Sequence, residues 1–319
     1  MNRPSVDDPD VSPRDWAARA AWLSYVGGLT QDQIARELGI SRQRAQRLVA
    51  RAAAEGLVRI SIDHPIVACL EMERDLKTRF NLDRAWVSPS LGPDADPVRG
   101  VAVFAAPVLE GIFQSDEPRT VGLGTGRTLR AVIEQMQRIE GAHHKLVALN
   151  GNVAPDGSAT AYEVIVRLAE KTQAPQYPLA IPLIARTPDE YELYMKLPHV
   201  QASRTLAQAA DLAIVGIGQT SDDAPLFVDG FISEAELEDL RSVGAAGEIA
   251  GHVFDMEGRF LDHSVNDRTM GVRVPVAGMP LCCIAAGRKK VTALRAALAG
   301  GLIDQLITDE ETARHLLRA

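Results

Sequence analysis

The 319-residue chain has three cysteines, no apolar run of membrane-spanning length and no net positive charge. Each shortfall removes a class of protein. Cys69, Cys282 and Cys283 are odd in number and two are adjacent, so neither a disulfide framework nor a CxxC metal pair is present. Buried thiols in a reducing cytoplasm are the expectation, with a redox sensor at the apolar run PLCCIAA as the alternative. No apolar stretch reaches the about 18–20 residues of a membrane span, so no membrane partner is expected. The opening MNRPSVDDPDVSPRDW is polar and acidic and lacks the apolar core of a secretory signal. Residues 1–13 read as a frayed, disordered tail. The net charge of −8 excludes a chain coated in nucleic acid.

What is present is an ordinary globular composition, 46% hydrophobic and 24% charged, at a length that suggests about two domains. Charge is unevenly spread. Between Arg36 and Ile60 stand six arginines and two acids, whereas from Pro65 onward 25 basic residues face 34 acidic ones. One short basic segment on an acidic molecule is the footprint of a phosphate-contacting element.

That segment carries a specific pattern. Arg14–Val26 reads as a helix with Trp16, Ala20, Leu23 and Val26 on one face. Gly27-Gly28 ends it. Thr30, with Gln33 three residues on, forms a capping box for a second helix that turns Ile34, Ala35 and Leu38 inward. Gly39 suits the left-handed residue that stops a helix. Ser41 caps a third helix with Ala45, Leu48, Val49 and Ala52 inward, and VRISI then reads as a short strand. Helix, glycine turn, helix and strand make an all-α helix-turn-helix with a wing over residues 14–64. Arg42, Gln43, Arg44, Gln46 and Arg47 face outward at the start of the third helix. Arginine pairs with guanine and glutamine with adenine in the major groove. Thr30, Gln31 and Ser41 suit phosphate contacts. The competing interpretation is a helical bundle with a solvated arginine face.

Residues 65–81, containing IVACLEMERDLKTRF, read as a linker helix that also pairs subunits, or one that packs only on its own domain. A palindromic operator calls for a two-fold protein, so a homodimer or homotetramer is expected.

Residues 82–319 alternate strand and helix signals. RAWVS, RTVGLG, HKLVALNG, YPLAIPLI and DLAIVGIG each precede longer helical stretches, which predicts a parallel α/β sheet of Rossmann-like type. Ligands of such sheets bind at the carboxyl ends of the strands. Five groups of residues lie there. Gly122, Gly124, Thr125, Gly126, Arg127 and Thr128 join a strand to a helix start, where a glycine backbone and free N–H groups accept an anion. The spacing is neither GxGxxG with a downstream acid nor a GK[ST] loop, so no nucleotide cofactor is expected. Asn150 and Gly151 follow the next strand, and Gly218 and Gln219 a later one. The run GEIAGHVFDMEGRFLDHSVNDRTMGV is rich in acids and histidines, yet they spread over two strands and a turn, so no metal site is expected. Asp255 is its preferred hydroxyl acceptor. Finally, Lys290 lies in AAGRKK after an apolar strand, where a cation opposes the helix dipole and so suggests a ligand contact.

Two stretches resemble the SorC/DeoR-like family of sugar-binding bacterial transcription regulators. One is GLTQDQIARELGISRQRAQRLVARAAAEGLVRI. The other is the ordered series VGLGTGRTL, DLAIVGIG, GHVFDMEGRFLDHSVNDRTMGV and AAGRKKVTALRAALAGGLIDQLITDEETARHLL. The resemblance spans roughly residues 15–319. It implies an effector domain related to sugar-phosphate isomerases and deaminases, with the loop Gly122–Thr128, Asp255 and Lys290 at effector-site positions. Ala286-Gly287 stands where many relatives have a glycine pair, and SRQRAQRL departs from the commoner family form. The expected protein is a cytoplasmic regulator without cofactors, binding a double-stranded DNA operator and a small sugar, polyol or sugar-phosphate effector. Its expected role is repression of a carbohydrate or polyol catabolic operon. The alternatives are a sugar-phosphate isomerase or deaminase with a helical extension, and an architectural DNA-binding oligomer.

Overall fold

The computed structural model describes residues 12–58, 67–92, 94–154, 157 and 164–318. The chain divides into two compact units, Met1–His64 and Pro65–Ala319.

The first unit contains α1 (Pro13–Tyr25), α2 (Gln31–Leu38) and α3 (Arg42–Ala54). Side-chain caps fix their starts. Asp15 N–H donates to Ser12 Oγ at 3.2 Å and Arg44 N–H to Ser41 Oγ at 3.3 Å. Before α2, Gln33 Oε1 accepts from both the N–H and the hydroxyl of Thr30, at 2.8 and 2.9 Å. Gly39 takes φ 65°, the left-handed stop that a Cβ would disfavour. Trp16, Ala20, Ile34, Ala35, Leu38 and Ala45 form the core, flanked by Leu23, Leu29, Ile40, Leu48 and Val49. Val26 is not part of that core. It is the residue after α1 and is 68% exposed, because the helix ends one residue earlier than its apolar spacing suggests. The strand expected at VRISI lies, beyond Val58, outside the described residues.

The second unit opens with α4 (Val67–Phe80), which packs on the strand and helix beside it, burying Leu76 fully. Its partners are β1 (Arg84–Ser88) and the helix Glu310–Leu317. Then follow α5 (Pro97–Phe113), β2 (Thr120–Leu123), α6 (Arg127–Gln135), β3 (Lys145–Ala148), β4 (Gln176–Tyr177), β5 (Leu212–Val215), β6 (Gly218–Gln219), β7 (Ala245–Ile249), β8 (His252–Asp255), β9 (Leu281–Ile284) and β10 (Gln305–Asp309). Seven of these form one parallel sheet in the order β1-β10-β9-β5-β2-β3-β4. Its central strands LAIV and LCCI are wholly buried, as expected when helices cover both faces. Cys282 and Cys283 point to opposite faces of β9 and join two different apolar clusters. All three cysteines are free and buried. β6, β7 and β8 form a small antiparallel sheet.

The run YPLAIPLI is not the strand its composition suggests. β4 stops at Tyr177, and the following buried residues make only isolated bridges, Val153 with Pro182 and Ile184 with Thr269. Pro178 and Pro182 cannot donate to a ladder. No helix among the described residues is long and apolar enough to cross a membrane.

Candidate functional site

The sheet order contains a reversal. From β2 the chain runs outward through β3 to β4, then returns to lay β5 on the other side of β2. The loops leaving β2 and β5 therefore part in opposite directions and open a crevice at the carboxyl ends of the strands. A cavity of about 210 Å³ lies there. Gly124–Leu129 line it after β2, Asn150 after β3, Val215–Ile217 after β5, and Ala286 and Lys290 after β9. Gln219 and Glu248 of the small sheet, the Ala250-Gly251 turn, and Leu226, Asp229 and Phe231 are also part of the wall.

Gly126 turns the chain from β2 into α6 with φ 130°, a conformation that side-chain-bearing residues rarely adopt. The N-terminal end of α6 thus points its positive dipole end at the cavity. Thr125 and Thr128 add hydroxyls.

Four charged side chains line the cavity, two of each sign. Arg127 Nη2 pairs with Asp229 Oδ1 at 3.0 Å. Lys290 Nζ donates to the Ile217 carbonyl at 2.8 Å and to Gln219 Oε1. Glu248 Oε2 accepts from Gly251 N–H at 2.8 Å. Burial pushes the Glu248 carboxyl above its usual range, opposed by the Gly251 N–H and by Lys290. Burial pushes the Lys290 ammonium down, opposed chiefly by Glu248. The attraction between the two groups offsets part of the burial effect on each. Behind Lys290, Gln219 Nε2 donates to the Asp223 carbonyl at 3.0 Å, and Asp223 pairs with Lys289. These contacts hold the Asp223 carboxyl well below its usual range, the Lys289 ammonium first, then Ser221 and Gln219.

In the first unit Ser41, Arg42, Gln43, Arg44, Gln46 and Arg47 are all exposed along the start of α3, with Thr30 and Gln31 at the start of α2. Arg42 pairs with Asp32 of α2 at 3.4 Å. Among the described residues no acid pairs with Arg44 or Arg47, which leaves two cations on one helix face.

Residues 64–318 match the family described as "Putative sugar-binding domain", and residues 10–64 the one described as "MarR family". The erythritol catabolism regulatory protein EryD of Brucella abortus (strain 2308) is 34% identical over 302 residues, covering 94% of this chain and 96% of that protein. The transcriptional regulator LsrR of Klebsiella pneumoniae subsp. pneumoniae is 31% identical over 316 residues, 96% of this chain and 94% of LsrR. The full-length sorbitol operon regulator SorC from Klebsiella pneumoniae has a matching structure, with a TM-score of 0.75 at 27% identity over 95% of this chain and 98% of SorC. This chain belongs to the SorC/DeoR-like family of sugar-binding transcriptional regulators. Its relatives are regulators and not enzymes, which removes the isomerase or deaminase alternative.

Of the positions singled out in the sequence of this SorC/DeoR-like regulator, Gly124, Thr125, Gly126, Arg127, Thr128, Asn150, Gln219 and Lys290 meet in the cavity. Four others do not. Asp255 is committed elsewhere: its carboxylate accepts from the N–H groups of Glu257 and Arg259 and from Arg259 Nε, closing the hairpin turn. Gly122 sits inside β2, where a Cβ would come 2.8 Å from Leu149 Cδ2. Gly151 packs against backbone, with the carbonyls of Ile181 and Pro182 both 2.3 Å from where a Cβ would be. Gly218 leaves space for Glu248, whose Oε1 would stand 2.1 Å from its Cβ.

Glu248 and Asp229 were not among the expected contacts. Glu248 lies seven residues before Asp255 in the acid-rich run, on the strand paired with β6, and only that register, Gly218 opposite Glu248, brings it to the cavity. Asp229 comes from a short loop helix with no sequence signal of its own. Among the described residues no three His, Cys, Asp or Glu side chains are grouped to hold a metal ion.

Proposed function

We propose that this regulator binds a double-stranded DNA operator through α2 and α3 and is switched by a small sugar, polyol or sugar phosphate held in the cavity at the β2–β5 reversal. The observation that carries the reading is the pairing, in one chain, of an exposed arginine and glutamine helix face with a cavity at the topological switch point that four charged side chains line. In this reading Arg42, Gln43, Arg44, Gln46 and Arg47 enter the major groove. Thr30, Gln31 and Ser41 hold phosphates, and a wing follows Val58. A homodimer or homotetramer presents two recognition helices to a palindromic site. The similarity to EryD, a regulator of erythritol catabolism, favours a carbohydrate or polyol catabolic operon as the target, and the reading takes its control to be repression in the cytoplasm. The effector domain is related in fold to sugar-phosphate isomerases and deaminases, with binding kept and turnover absent.

The mechanism is a population shift. The effector binds the two arrangements of the protein with different affinity, and a difference of about 1–3 kcal/mol suffices to regulate. The test is fluorescence anisotropy of the full-length protein on DNA from upstream of its own gene, with sugars, polyols and their phosphates added. Sequence-specific binding altered by one of them supports the reading. Specific binding that no member of the panel alters, together with an unchanged melting temperature, overturns the effector assignment.

A further inference from the structure

The helix α5 lacks a polar side. From Gly100 to Leu109 it reads GVAVFAAPVL, without one charged or hydrogen-bonding side chain. Its inner side, with Val101, Ala105, Leu109 and Phe113, is buried in the core over the parallel sheet. The side turned away is apolar too. Val103 is 57% exposed, Pro107 and Gly111 are exposed, and Phe104, Val108 and Ile112 are half-buried. Leu91, also exposed, extends the patch: its Cγ lies 3.4 Å from where a Cβ on Gly100 would stand. The neighbouring α6 has the ordinary pattern, with the Arg130–Glu134 ion pair at 2.9 Å on its outer side. A helix that is apolar all round is a buried helix.

We infer that the outer face of α5 is covered by the same face of a second copy of this chain, the two helices crossing antiparallel about a two-fold axis near Phe104 and Ala105. The inference rests on the proposal that the regulator is a homo-oligomer, and names the surface that builds it.

Charge chooses this occupant and this direction. Arg99 and Glu110 stand about 16 Å apart along an ideal helix and within about 20° around it, so they flank the apolar stripe on one side, at opposite ends. Among the described residues no acid pairs with Arg99. Glu110 is held by the Gln137 N–H, which donates to its Oε1 at 2.7 Å. An antiparallel two-fold brings Arg99 of each copy beside Glu110 of the other, whereas a parallel one sets arginine against arginine. A patch that complements itself in this way is what a two-fold contact requires. Shape agrees, since a Cβ on Gly111 would meet open space and a second helix can approach closely there. The sheet edges are poor alternatives. At the edge strand β1 the Val87 N–H already donates to Glu73 Oε1 of α4 at 2.9 Å, and the other edge strand, β4, has only two residues. Val98, in the first turn of α5, lines the cavity, so the cavity and the face for a second copy share one helix.

The experiment is sedimentation velocity of the full-length protein over a concentration series, with circular dichroism and Tm measured alongside. Val103→Glu puts an unpaired carboxylate into the stripe at a position open to solvent in the single chain. It is expected to halve the assembled mass and leave the dichroism spectrum unchanged. Arg99→Glu is expected to raise the dissociation constant about tenfold. Adding Glu110→Gln, which keeps an acceptor for the Gln137 N–H, is expected to bring it back to within about threefold of the parent. Val103→Glu and Arg99→Glu proteins with the parental mass and dissociation constant overturn the inference and leave the oligomer reading intact. A Val103→Glu protein of parental mass but lowered Tm assigns the face to a contact inside one chain, and overturns it equally. Weakening by Arg99→Glu that Glu110→Gln does not relieve overturns the antiparallel arrangement. A wild-type protein that stays monomeric throughout removes the oligomer proposal itself, and this inference with it.

Discussion

Replacing Gly218 by alanine tests whether Glu248 is held in the cavity for a purpose. The new Cβ would lie 2.1 Å from Glu248 Oε1 and 2.7 Å from its Cγ, so the carboxylate must leave its position. The atoms in the way are a flexible side chain, and Gly218 has no left-handed backbone angle, so the fold can yield. The cost is chiefly the Gly251-to-Glu248 hydrogen bond, about 1.5–3 kcal/mol for a charged acceptor. Alanine returns about 0.4–1 kcal/mol by restricting the unfolded chain. The net loss of about 0.5–2.6 kcal/mol lowers Tm by roughly 1–10 °C for a unit of this size. Effector affinity should suffer more, since the ligand loses its carboxylate: about 1.5–3 kcal/mol, or roughly 10- to 150-fold. Gly151→Ala is the contrasting variant. Its Cβ would meet two backbone carbonyls at 2.3 Å, which cannot swing aside, so it should fail to accumulate as folded protein. Differential scanning fluorimetry and calorimetric titration separate the two cases. Gly218→Ala binding effector with parental affinity would refute the role of Glu248, and a Gly151→Ala protein with parental Tm would refute the packing argument itself.

Arg44→Ala and Arg47→Ala should each weaken operator binding. If the lost contact is to phosphate, the slope of log K against log salt falls by about 1; if it is to a base, specificity falls by about 1–3 kcal/mol, and anisotropy titrations over a salt series distinguish the two. Ser41→Ala removes the acceptor for Arg44 N–H and should cost the helix-turn-helix unit about 1 kcal/mol, read as a lower denaturant midpoint. Burial holds the His252 imidazole down at about 3, so between there and the unfolded value near 6.5 the unfolded chain binds the extra proton. Stability is therefore full above pH 6.5 and falls on acidification. At pH 5 the loss is about 2 kcal/mol, and a His252→Leu protein whose Tm drops as steeply between pH 7 and 5 would contradict it. Lys290→Met should lower effector affinity at least about tenfold by removing a charged donor, and calorimetry with the best-binding compound reads it.

Much of the fold was legible because local chemistry and tertiary packing agree. Ser41, Gly39 and the Thr30–Gln33 pair set the helix limits that the sequence places there, and the buried strands LAIV and LCCI are too apolar and too short to be anything else. Where the reading strayed, a residue-level rule had been outvoted. YPLAIPLI is apolar enough for a strand, but Pro178 and Pro182 deny it a ladder, and its residues are buried in two apolar clusters with only isolated bridges as pairing. Val26 keeps the helical spacing of α1, yet falls one residue past the helix end, where the face has already turned to solvent.

The site was legible in part for a different reason. Backbone requirements leave marks in sequence: the glycines at 124 and 126 and the strand-to-helix junctions identify the loops that reach the cavity before any coordinate is known. Side chains that arrive through pairing leave none. Glu248 and Asp255 lie in the same acid-rich run, and alternation along the β7–β8 hairpin with a bulge between Ala245 and Gly247 decides which one faces the cavity. Asp255 resembles a ligand group in sequence because the turn Met256–Gly258 needs an acceptor at its base, and that need consumes its carboxylate. Gly218 resembles a ligand-facing glycine because it is one half of a fit whose other half is the Glu248 carboxylate thirty residues away. A glycine that makes room for a side chain and a glycine that makes room for a ligand look alike in sequence, and only the strand register distinguishes them.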